Sequence, residues 1–174
     1  MSRLRHNRDR GRVKSVGNIH SVQVLVSGKN GWARRLAAQA LGELSDFGSV
    51  DLLVRTLMDR EAAGHAAGAL RQMGWQPESD RDKVHYFVAV GDRIGLQTMG
   101  PVATSVLMND LTRSRGRYAP YAVAALLDTQ GEAVVSQLVE VLFSSGLRSL
   151  SKAYSASGQP QLEEAAAAWQ AANP

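Results

Sequence analysis

Cysteine is absent from the chain. That excludes disulfides, thiolate metal ligands, iron–sulfur ligation and a cysteine nucleophile, and it suits a reducing cytoplasm. Aromatic residues are scarce, at 6% against 44% hydrophobic residues. The apolar mass is therefore mainly alanine, leucine and valine, which let helices approach one another closely. No run comes near the ~20 apolar residues needed to cross a bilayer. The basic start SRLRHNRDRGRVK is not followed by an apolar stretch of signal-peptide length, so the chain reads as soluble, unprocessed and without membrane contact.

Acidic residues are also missing from one place. The net charge is +4, yet Arg3, Arg5, Arg8, Arg10, Arg12 and Lys14 against Asp9 alone give +5 over residues 1–14, and the remaining 160 residues sum to −1. A neutral body thus follows a basic arm, expected to be flexible. Six cations in that arm can neutralise phosphates in a salt-dependent, sequence-blind way. No aromatic is interleaved for base stacking, and a solubilising tail explains the same composition.

What is present is a repeat. In WARRLAAQALGEL, the residues Ala33, Leu36, Ala37, Ala40, Leu41 and Leu44 make one helical stripe. A shift of 29 residues places Ala62, Ala66, Ala69, Leu70 and Met73 in register, with His65 in place of Leu36. Between them SDFGSVDLLVRTLMD supplies a turn and a second stripe of Val50, Leu53, Val54, Leu57 and Met58. The unit is helix, tight turn, helix, too small to bury its apolar face unless it stacks on neighbours. Upstream, Asn18 is expected to cap a helix ending at Gly28. Downstream, helices are predicted over 83–94, with Val84, Phe87, Val88 and Gly91 on one side, and from Pro101, with Val102, Val106, Leu107 and Leu111. Further pairs follow over 118–127 with 131–143 and 147–154 with 161–172. Glycines such as Gly28, Gly31, Gly48, Gly74, Gly131 and Gly146 fall at helix ends, where a positive φ is useful.

The segments WARRLAAQALGELSDFGSVDLLVRTLMD and AAGHAAGALRQMGWQPESDRDKVHYFVAVGDRIGLQTMGPVATSVLMNDL resemble HEAT repeats, in particular the short bacterial kind named after phycobilisome lyases. Arg35 before Ala37 and Ala38, ALGEL followed by Asp46, and Leu52, Leu53 and Leu57 closing on Asp59 carry the resemblance, which covers roughly residues 15–145. It departs at Ala63 and Gly64, which stand where Arg34 and Arg35 stood, so a continuous Arg ladder is not expected. The resemblance implies an all-α, right-handed α-solenoid of about four to five antiparallel helix pairs, forming one domain over 15–174, whose curved faces bind proteins or, in some members, nucleic acid.

Chemistry is sparse. His6, His20, His65 and His85 lack metal-ligand spacing, no Gly-x-Ser-x-Gly elbow occurs, and Glu163 and Glu164 sit in a first helical turn where they complement the helix dipole. Trp32, Trp75 and Trp169 read as core caps and packing anchors rather than base-stacking platforms. His65 is expected to be partly buried. No cofactor, metal site, catalytic residue or small-molecule substrate is expected.

The sequence therefore points to a non-catalytic protein-binding scaffold or adaptor. Its candidate contacts are Arg55, Tyr86, Arg113, Arg115 and Arg117, because tyrosine and arginine are the types that anchor interfaces. Arg113, Arg115 and Arg117 crowd one inter-helix loop, TRSRGR, with Arg148 and Lys152 expected near by. Arginine forks there suit an acidic partner or phosphate, and a solvated loop is the plainer alternative. Two rival readings remain: a subunit of a bilin lyase-type chromophore-attaching complex, implied by the resemblance, and a nucleic-acid-binding accessory protein using the arm.

Overall fold

The computed structural model describes residues 19–174. Asn18 and the arm residues Arg3, Arg5, Arg8, Arg10, Arg12 and Lys14 lie outside the described residues. The described chain is all-helical, with no strand, and none of its helices is long and apolar enough to cross a membrane. It divides into two compact units, one as far as Glu78 and the other Ser79–Pro174.

The first unit holds α1 (19–27), α2 (Gly31–Glu43), α3 (Val50–Thr56) and α4 (Ala63–Gln72). Asn30 starts α2 because its side chain accepts a hydrogen bond from the Trp32 N–H, satisfying a donor that the first turn leaves open. α2 and α4 pack side by side in parallel, Gly31 lying at Glu61 and Gly42 at Ala69. α3 packs on α4 with Leu53, Leu57 and Met58 buried.

The 29-residue register recurs in the burial: Ala37, Ala38 and Leu41 are buried in α2, as are Ala66, Ala67 and Leu70 in α4. The contact stripe is nonetheless rotated from the expected one. Leu36 and its counterpart His65 are both exposed, as is Trp32 at 60%. A Cβ at Gly42 would stand 2.7 Å from the Cβ of Ala69, so the helices meet along their smallest face. A leucine there would hold them apart. Trp32 is thus not a packing anchor, whereas Trp169 is buried in the second unit.

The second unit runs α5 (Asp80–Val90), α6 (Arg93–Met99), α7 (Pro101–Thr112), α8 (Ala119–Gln130), α9 (Val135–Ser145), α10 (Arg148–Ser155) and α11 (Pro160–Ala172). Ser79 caps α5 by accepting from the Asp82 N–H. The single helix expected over 83–94 is two. Gly91 turns left-handed at φ 70° and ends α5, and Asp92 caps α6 at once by accepting from the Gly95 N–H. Pro101 starts α7, where its missing N–H costs nothing. Among the six glycines expected at positive φ, Gly74, Gly131 and Gly146 have it, while Gly28, Gly31 and Gly48 do not.

One core runs from Val84 to Trp169, with Leu107, Leu111, Leu126, Leu138, Leu142, Leu150, Tyr154 and Leu162 at its centre. α7 pairs with α8 and α10 with α11, while α8 also packs on α10 and α9 on α11. The Tyr154 hydroxyl donates to the Leu138 carbonyl at 2.6 Å inside this core, and burial pushes its pKa well above the usual phenol range.

Candidate functional site

α7 ends at Thr112 and the chain turns through a short 3₁₀ segment, Arg113–Gly116. Arg115 has a φ of 57° there, in the left-handed region that side-chain-bearing residues avoid. The Ser149 hydroxyl donates to the Arg115 carbonyl at 2.5 Å, which holds the turn against the first turn of α10. Arg113, Arg115 and Arg117 are all exposed.

α10 adds two more cations. Its i, i+4, i+7 face carries Arg148, Lys152 and Ser155, all exposed, while Leu150, Ser151, Ala153 and Tyr154 are buried behind it. With Gln170, Asn173 and Pro174, that face lines an open cleft of about 440 Å³. Arg148 donates to the Asn173 carbonyl at 3.0 Å. The Gln170 amide donates to the hydroxyls of Ser151 and Ser155 at 3.2 and 3.3 Å.

The electrostatics set this region apart. Arg81 pairs with Asp110 and Arg93 with Asp128, but Arg113, Arg115, Arg117, Arg148 and Lys152 have no ion pair among the described residues. The contact between Ser149 and Arg115 brings the turn against α10, one residue from Arg148 and on the side of the helix next to the cleft face. The other expected contacts lie elsewhere: Arg55 is exposed in the last turn of α3, in the first unit, and Tyr86 is half-buried on α5.

Sequence reasoning missed a buried charged group. Asp110 lies in the core face of α7 between Leu107 and Leu111, with 1% of its side chain exposed. One carboxylate oxygen is 2.6 Å from Nε2 of His85, itself buried, and the other accepts from Arg81 at 3.2 Å. The signal was available: an acid on an apolar stripe needs a partner, and Arg81 and His85, four apart on α5, present one face. The expected stripe put Val102 inward, yet it is exposed and Ala103 is buried in its place. That rotation brings Asp110 into the core.

A second cavity, of about 510 Å³, lies between α6, α7 and α8 and is lined by Leu96, Gln97, Pro101, Thr104, Thr129 and Gln130 among others. Its lining carries no acidic, basic or imidazole side chain. No model of a known protein family matches the chain, nor does any curated protein or solved structure compared with it.

Proposed function

We propose that the chain is a non-catalytic interaction module whose two units are built as short HEAT-like α-solenoid segments, and that it works as a scaffold or adaptor in the cytoplasm. The carrying observation is the packing of helices on the next helix but one, α2 on α4, α8 on α10 and α9 on α11. Stacking of that kind adds surface with every pair instead of closing around one pocket.

A recurrent side-chain reach supports the same reading. Arg34 on α2 bonds Asp59 at the entry to α4, and Arg81 and His85 on α5 bond Asp110 on α7, so in each unit a side chain ties a helix to the next but one. Exposed Arg55, Arg113, Arg115 and Arg117, with half-buried Tyr86, are the side chains assigned to partner binding.

Selection of a displayed random-peptide library on the full-length chain at physiological salt tests the assignment. The expected result is enriched sequences that soluble protein competes away and that the variant R113A/R115A/R117A binds at least about tenfold more weakly. Absence of enrichment over bare support, or equal binding by the variant, counts against it.

A further inference from the structure

The geometry points to one docking site, formed by the turn Arg113–Gly116, Arg117 and the α10 cleft, for a short carboxylate-rich segment of a partner protein. The inference rests on the interaction-module reading and narrows it to a partner chemistry.

Charge distribution selects the occupant. Residues 79–174 hold eight Lys and Arg against nine Asp and Glu. Five of the eight cations are Arg113, Arg115, Arg117, Arg148 and Lys152, so the rest of the unit sets three cations against nine acids. The cations of this unit are thus concentrated on one turn and on the helix it touches, while the rest of the unit is acidic in balance. Screening confines their field to about 8 Å at physiological salt, which favours a ligand whose negative charges are equally concentrated. A nucleic acid strand needs cations spaced along its length, which a unit with three other cations and nine acids does not supply, and the cleft lining includes no aromatic side chain for a base to stack on.

The site is also built before the ligand arrives. Ser149 fixes the Arg115 backbone, and Gln170 is hydrogen-bonded to Ser151 and Ser155, so the backbone beneath the cations is already set and the ordering that binding must still supply is that of the exposed side chains. The nearest acids of the pair α10 and α11 are at its other end, where Glu163 accepts from the Gly158 N–H. A cleft of about 440 Å³ takes a few side chains rather than a folded surface, and guanidinium forks grip carboxylates in bidentate fashion.

Fluorescence anisotropy with a labelled glutamate-rich peptide and the full-length chain tests this. Saturable binding at low salt is expected, weakening as salt rises. R148Q/K152Q should weaken it by at least about tenfold, whereas K29Q/R60Q, which removes two exposed charges from the first unit, should not change it. Circular dichroism establishes that both variants fold, and the salt series on the wild-type chain stands if either does not. Equal binding by R148Q/K152Q overturns the proposal, as does displacement of the peptide by a DNA oligonucleotide of equal charge. Neutral or apolar winners in the library selection, with no binding of the glutamate-rich peptide, overturn it while leaving the interaction module intact.

Discussion

Asp110 on α7 and His85 on α5 face each other at 2.6 Å, both sealed from solvent. The acid has no water to return to, so its two oxygens depend on His85 and Arg81 for hydrogen bonds. Asp110→Ala leaves buried His85 without its partner while half-exposed Arg81 can turn to solvent, and should cost about 1–3 kcal/mol, read from urea denaturation. The double variant H85A/D110A should lose less than the two single variants summed, because the groups act as one unit. Strict additivity would show that they do not.

Gly42 is the point of closest approach in the first unit. Helix propensity alone favours Gly42→Ala by about 1 kcal/mol. The Cβ and Cα of Ala69, 2.7 and 2.8 Å from where the new methyl would stand, oppose it, and overpacking of this kind costs about 1–3 kcal/mol. We expect net destabilisation, partly recovered by Ala69→Gly. A rise in thermal stability in Gly42→Ala would mean the helices are free to move apart.

These two sites mark how far the sequence could be read. Period and register are legible in the spacing of apolar residues, so Ala37 and Leu41 and their counterparts Ala66 and Leu70 are found inside. Which edge of an alanine-rich stripe turns inward is another matter. Alanine flanks α2 on several sides, and the choice is made by the contact of Gly42 with Ala69, between residues 27 apart in sequence. For the same reason Leu36 and Trp32 lie outside, and on α7 it is the contacts with Arg81 and His85, likewise distant in sequence, that go with Asp110 inside. The arginines of the turn were visible as a local cluster. The Ser149 bond that ties them to α10 has no local signature.

Acid should weaken the first unit through Asp59. Burial acts to raise its carboxyl pKa, but the Arg34 hydrogen bond, the N–H groups of Glu61 and Ala62 and the Arg34 charge together hold it below the ordinary 3.8. A lowered folded-state pKa stabilises the fold above the unfolded value, and that share is lost as pH falls through the folded one. The gap in melting temperature between wild type and Asp59→Asn should be constant near neutrality and narrow below about pH 4. A gap that stays constant down to pH ~3 would exclude ionisation as its cause.

Arg115 sits in a backbone region that costs a side-chain-bearing residue about 1 kcal/mol or more. Glycine relieves that strain and returns roughly half of the gain as added freedom in the unfolded chain. Arg115→Gly should therefore stabilise the protein by about 0.5 kcal/mol while weakening binding of the glutamate-rich peptide. Loss of stability would show that the arginine side chain supports the turn.

Arg34 reaches two separate stretches of chain. It donates to the Gly28 carbonyl beyond α1 at 2.8 Å and to the Asp59 carboxylate at the entry to α4 at 3.0 Å. In a protein without a single sulfur–sulfur bond, one guanidinium acts here as a removable staple between the end of one helix and the start of another. Unlike a covalent link, it opens without any redox chemistry. Being partly buried, it yields to ionic strength less readily than a surface ion pair would, so the tie between the end of α1 and the approach to α4 is reversible yet persistent.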